Sequence, residues 1–125
     1  MILTITLNPS VVINYQISGF QIAGANRCHS TMKTAGGKGL NVTRVLHCLN
    51  LRVKATGFLG GTNGLFIKRE LDREGISHSF IPIKGDTRNC ISILHDLHQT
   101  EVMEEGPLTT EEEQITFLNE MELMV

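Results

Sequence analysis

Ala35-Gly36-Gly37-Lys38-Gly39-Leu40-Asn41, running on into Val42-Thr43-Arg44-Val45-Leu46, is the stretch on which the fold turns. Glycines at 36, 37 and 39 leave the backbone open to close approach. Beyond them Val42, Val45, Leu46 and Leu49 recur at i, i+3, i+4 and i+7, while Thr43, Arg44 and His47 fall elsewhere. The spacing predicts an amphipathic helix that opens on a glycine turn.

The first N–H groups of such a helix have no intrahelical acceptor and sit at the positive end of its dipole, so they can hold a phosphate or a sugar hydroxyl. Lys38 adds a charge, and Asn41 either displays its amide toward the same place or bonds to the local backbone. The pattern is not G-x-x-x-x-G-K-[ST], and Val42 interrupts a dinucleotide G-x-G-x-x-G. Two readings stay open on spacing alone, an anion-receiving turn or a tight strand-to-helix connection.

Upstream, Ile2 to Leu7 alternates β-branched and polar residues and stops at Asn8-Pro9-Ser10, which predicts a first strand. Val11 to Tyr15 and Arg27 to Lys33 are short β-prone segments separated by Gly19, Gly24 and Asn26, a pattern for a hairpin or flap. Downstream, Val53 to Leu59 predicts a strand, Gly60 to Gly64 a loop, and Leu65 to Glu74 a helix ended by Gly75. Ile76 to Ile83, Asn89 to His95 and Thr100 to Glu104 read as three more strands, the last two a hairpin turning near Asp96-Leu97-His98. Thr109-Thr110-Glu111-Glu112-Glu113 offers overlapping capping boxes for a last helix whose face would carry Ile115, Leu118, Met121 and Val125. The sequence closes on apolar Leu123-Met124-Val125 and is expected to be truncated.

A length of 125 residues with 41 % hydrophobic content suits one small α/β unit with a modest core. Eleven basic against thirteen acidic residues give a net charge of −2, which supplies no field for nucleic acid or an anionic membrane. No apolar run approaches the roughly 18 residues of a membrane span, and Met1 to Thr6 lacks the flank of a signal peptide, so a cytoplasmic protein is expected. Cys28, Cys48 and Cys90 are scattered and odd in number, which suggests neither a disulfide framework nor a zinc knuckle. His95 and His98 have no third ligand nearby, and the glutamates of 101 to 113 read as helix-start charges, so no metal site is assigned. Arg88, after Gly85-Asp86-Thr87, can grip a phosphate in bidentate fashion or serve as a solvated surface charge. Arg27 in the flap either reaches a bound anion or a second subunit, or is simply exposed.

Thr6-Leu7-Asn8-Pro9-Ser10, the 36–46 stretch, Gly57-Phe58-Leu59-Gly60-Gly61 and Thr87-Arg88-Asn89-Cys90-Ile91 together resemble the phosphofructokinase-B branch of ribokinase-like sugar kinases. Cys90-Ile91-Ser92-Ile93-Leu94-His95, followed by Gln99-Thr100-Glu101 and Gly106-Pro107, looks most like its tagatose-6-phosphate kinase group. The resemblance implies the amino-terminal part of a three-layer α/β/α sandwich with a small β-sheet lid, the lid drawn from about 11–18, 27–33 and part of 89–104. It implies a kinase that transfers phosphate from ATP, with Mg2+, to tagatose 6-phosphate, or alternatively to fructose 1-phosphate. Carried over by position, Gly36, Gly37 and Asn41 would hold the sugar with Lys38 beside them. Arg88 would hold its phosphate, and Arg27 would come from the lid, where a homodimer forms.

Two departures from that family pattern stand out. Val12 occupies the place where relatives usually carry an aspartate that accepts from sugar hydroxyls, and losing such a charged hydrogen bond costs roughly 1.5–3 kcal/mol. No G-x-G-D turn occurs, so the catalytic base and the ATP-binding half are expected to lie outside these residues. Phosphoryl transfer is mostly positioning and charge stabilisation, so this chain alone is expected to be inactive or to act only as a sugar-phosphate-binding or dimerisation module. Leu97 stands where relatives favour glycine in the hairpin turn.

Overall fold

The computed structural model describes residues 1–125. In chain order the elements are β1 (Ile2–Thr6), β2 (Ser10–Gln16), β3 (Ser30–Gly36), α1 (Lys38–Cys48), β4 (Val53–Leu59), α2 (Gly61–Arg73), β5 (Ser77–His78), β6 (Ile81–Pro82), β7 (Arg88–His95), β8 (His98–Met103) and α3 (Glu111–Met124). They form two four-stranded sheets. In the first, β4 lies between β1 and β5 with β6 also on β4, and every pairing is parallel.

A parallel sheet must be covered on both faces, and β4 shows it, with Val53 and every residue from Ala55 to Leu59 buried. Ala55 and Leu59 face α1 and α2, where they join Leu40, Ile67, Leu71, Ile76 and Phe80 in the main core. Phe58 points the other way, onto Ile81 and onto Phe117 of α3, the two rings 5.1 Å apart and tilted. Strand alternation therefore produces the expected three layers, two helices on one face and one on the other.

The second sheet runs β3-β2-β7-β8. β2 pairs antiparallel with β3 and parallel with β7, and β7 turns into β8 through Asp96-Leu97, both at positive φ (46° and 66°) as a two-residue hairpin requires.

Four sequence expectations need correction. Of the Val42, Val45, Leu46 and Leu49 stripe of α1, only Leu46 is half-buried and the other three are exposed; Leu40 and Thr43 are the residues buried against the sheet. Small residues decide this, because a Cβ on Gly39 would overlap Thr6 Oγ1 and the Ile5 carbonyl, and Thr43 Oγ1 lies 2.6 Å from Thr4 Oγ1 in the buried contact. α2 starts at Gly61 rather than Leu65, since Asn63 anchors that turn by donating to the Thr87 carbonyl and to Asn89 Oδ1. Ile76 to Ile83 is two short strands on β4, bridged by the Ser79 amide donating to the Ala55 carbonyl while Phe80 enters the main core. α3 is capped at Thr110 with its Glu113 box as expected, yet it packs through Phe117 and Met121 and leaves Ile115, Leu118 and Val125 exposed.

Candidate functional site

β3 ends at Gly36 and α1 begins at Lys38, so Gly37 alone makes the corner. Its φ of 130° and ψ of 146° belong to a region that only glycine occupies readily, and no side chain caps the helix there. The first helical hydrogen bond runs from the Asn41 amide to the Gly37 carbonyl at 2.9 Å. Ala35 and Gly36 are paired with Val11 and Ser10 across the β2–β3 ladder. No backbone acceptor takes the amides of Gly37, Lys38, Gly39 or Leu40, the donors that a helix start leaves open.

Two clefts adjoin this corner. One, of about 240 Å³, lies between the start of α1 and the second sheet, and Gly37, Lys38, Asn41 and Arg88 all line it together with Val12. The other, of about 620 Å³, runs from Gly36, Gly37 and Asn41 to the charged pairs Arg44–Glu74 and Arg73–Glu70. The Arg73 guanidinium is held above its ordinary range by its hydrogen bond to Glu70. Val12, Gly37 and Asn41 border both clefts. Lys38 and Asn41 are exposed, and Gly36 is buried beneath Val12, whose Cγ2 occupies the space a Cβ at 36 would need.

Arg88 is tied into the framework. Its Nη1 donates to the Glu104 carbonyl at 3.0 Å and its Nη2 to the Asn8 carbonyl at 3.1 Å, while Nε is buried with no acceptor. Arg27 is exposed in the β2–β3 connection and lines neither cleft. The structure thus brings Gly36, Gly37, Lys38, Asn41 and Arg88 around one corner and leaves Arg27 apart.

Sequence reading passed over Ser10, Ser92, Glu101 and Met103, which also line the smaller cleft. The available signal was strand parity. Val12 stands opposite Cys90, which stands opposite Met103, and Ser92 stands opposite Glu101, so these side chains share a face. Gln99 orders that wall by donating to Ser92 Oγ and Glu101 Oε1.

No three histidine, cysteine or carboxylate side chains converge as metal ligands. Of the nearest acids, Glu101 accepts from Gln99 and Glu104 from the Asn89 amide. These residues do not fit a divalent cation. No helix is long and apolar enough to cross a membrane.

The pfkB family carbohydrate kinase model matches residues 7–124. Among solved structures, a Staphylococcus aureus protein provisionally described as a phosphofructokinase is 38 % identical, with a TM-score of 0.87 over 97 % of this chain and 39 % of its own. A Thermotoga maritima protein provisionally described as 1-phosphofructokinase is 32 % identical, with a TM-score of 0.90 over 98 % of this chain and 41 % of its own. Escherichia coli phosphofructokinase-2, solved in complex with fructose-6-phosphate, is 25 % identical with a TM-score of 0.91 over 99 % of this chain and 41 % of its own. The chain therefore spans about two-fifths of the length of these relatives. With the fold shared throughout and the family model covering nearly every residue, the chain belongs to the pfkB family of carbohydrate kinases.

Proposed function

We propose that this chain is the sugar-binding part of a tagatose-6-phosphate kinase, which transfers phosphate from ATP to the free hydroxymethyl group of tagatose 6-phosphate and gives the 1,6-bisphosphate and ADP. What supports the reading is that Gly37, Lys38, Asn41 and Arg88 line one cleft at the uncapped start of α1. There the amides of Lys38 and Gly39 and the Asn41 side chain take the sugar hydroxyls, with Gly37 allowing close approach and Gly36 bordering the larger cleft. Lys38 faces the negative charge of the phosphate, and the guanidinium of Arg88, held at the cleft wall by the Glu104 and Asn8 carbonyls, adds fixed positive charge beside it. In this reading the second sheet serves as a lid over the sugar, built from 11–18, 27–33 and part of 89–104. Arg27 acts from a lid that pairs in a homodimer of cytoplasmic location. ATP and Mg2+ are handled by polypeptide outside these 125 residues, because the side chains present make no cation site. By itself the chain binds sugar phosphate without turning it over.

A second substrate, fructose 1-phosphate, is favoured by the likeness to the Thermotoga maritima protein. Calorimetry with the two sugar phosphates separates the readings. Heat with tagatose 6-phosphate that disappears in Asn41→Ala supports the first, and heat with fructose 1-phosphate alone supports the second. No heat with either at millimolar concentration removes both.

A further inference from the structure

The smaller cleft is rich in donors and poor in acceptors. The open amides at the start of α1 and the Lys38 ammonium offer protons to it, and Arg88 adds positive charge at its wall. A sugar hydroxyl has a proton to give as well as lone pairs to fill, and a site of donors alone leaves the hydroxyl hydrogens without partners. Val12, on the sheet wall of the cleft, accepts nothing. Glu101 is the only carboxylate that lines it. β7 and β8 pair so that Ser92 stands opposite Glu101, and Gln99, two residues before Glu101 on the same face of β8, bridges the two. Its Nε2 donates to Ser92 Oγ at 2.8 Å and to Glu101 Oε1 at 3.0 Å. Ser92 is buried, so the clamp is anchored in the sheet. Glu101 accepts through Oε1 alone, which leaves Oε2 without a partner, and it belongs to none of the three ion pairs of the chain. Arg88 precedes Ser92 by four residues on β7, and a rise of about 3.3 Å per residue sets their Cα atoms about 13 Å apart. The cleft is therefore positive toward Arg88 and negative toward Glu101.

We infer that Glu101 is a specificity-determining residue of this cleft, accepting hydroxyl protons of the bound ketohexose phosphate through its free Oε2. Gln99 positions the carboxylate, with Ser92 as its anchor. A phosphate at the Glu101 end would meet a like charge, whereas at the other end it meets Lys38 and Arg88, so the same carboxylate also sets which way round the ligand enters. The inference rests on the sugar-phosphate reading of the site and adds to it the acceptor that Val12 does not supply. It holds for either of the two sugar phosphates.

The test compares the intact chain with Glu101→Gln, which keeps the shape of the side chain and removes its charge. The ligand is whichever of tagatose 6-phosphate and fructose 1-phosphate the parent chain binds. Calorimetry should show it bound about tenfold more weakly by the variant, the difference between a charged and a neutral acceptor. Inorganic phosphate, followed through the amide shifts of Lys38 and Arg88, should bind the variant as well as it binds the parent, or more tightly, because a like charge has left the cleft. Glu101→Asp keeps the charge and should recover most of the lost affinity. Glu101 is exposed on an edge strand, so melting followed by circular dichroism should be the same for all three chains. Sugar phosphate bound equally by the parent and Glu101→Gln, while Asn41→Ala abolishes it, overturns the inference and leaves the sugar-phosphate reading standing. Sugar phosphate and inorganic phosphate weakened in parallel also overturn it, since the residue would then only support the fold of the cleft. A parent chain silent toward both sugar phosphates removes that reading and this inference with it.

Discussion

Replacing Gly37 by alanine tests the corner on which the site is built. At φ 130° and ψ 146° the residue lies beside a region that is essentially glycine-only, where a side chain costs of order 1–3 kcal/mol. An added Cβ would also meet Thr6 Cγ2 at 2.9 Å, closer than such contacts allow, while Pro9 Cα at 3.5 Å would be in ordinary contact. Against this, alanine narrows the unfolded ensemble and returns about 0.4–1 kcal/mol. The backbone difference leaves Gly37→Ala destabilised by roughly 0–2.6 kcal/mol, and the close Thr6 contact adds to that. With a urea slope of about 1–3 kcal/mol/M for a small domain, the midpoint should fall on the order of 0.5–1 M. Gly24→Ala is the matched control. Gly24 has no positive φ, and its added Cβ meets only Gln21 and nothing nearer than 3.7 Å, so that variant should be unchanged or about 0.4–1 kcal/mol more stable. Opposite signs are expected from urea titrations run side by side. If Gly37→Ala moves with Gly24→Ala, the reasoning about this corner is wrong.

Val12→Asp should strengthen tagatose 6-phosphate binding about tenfold to a hundredfold in calorimetry, because a carboxylate replaces an isopropyl group that borders both clefts. Leu97→Gly should raise the urea midpoint, by about 0.5–1 kcal/mol in free energy. It relieves a fully exposed leucine at φ 66°, an effect of about 1–2 kcal/mol less the entropy glycine adds to the unfolded chain. Glu113 is held below the ordinary carboxylate range, chiefly by accepting from the Thr110 amide in the capping box and also from the Lys84 amide. Its contribution to α3 is thus full above the unfolded carboxylate value and is lost as pH falls through the lower folded value. Melting followed by circular dichroism should show Glu113→Gln less stable than the parent at neutral pH, with the gap closing in acid.

Local signals carried much of the fold. The alternation of Ile2 to Thr6, the run from Val53 to Leu59, the Asp96-Leu97 turn and the Thr110–Glu113 box each rest on chemistry within a few residues, and each element formed where its pattern stood. What failed was direction. Periodicity located an apolar stripe on α1 but could not say that glycine and threonine would take the sheet side, since close approach rather than hydrophobicity sets that contact. α3 shows the same failure, with Phe117 inward and Ile115 and Leu118 outward. Ile76 to Ile83 read as continuous because its register on β4 is continuous, from Lys54–Ser77 to Phe58–Ile81, and only Ser79 and Phe80 leave the pairing. Within the site, the glycine turn was legible as a helix opening. The framework role of Arg88 was not, because Asn8 lies eighty residues away in sequence and meets it only through β2 and β7.

Amide chemical shifts of the intact chain, followed while tagatose 6-phosphate is added to millimolar concentration, address the central claim most directly. Movement concentrated at Gly37 to Asn41 and at the β7 and β8 residues facing Val12 is the result this account requires. Shifts centred instead on the far end of the second sheet around His95 to His98, or none at all, would contradict it.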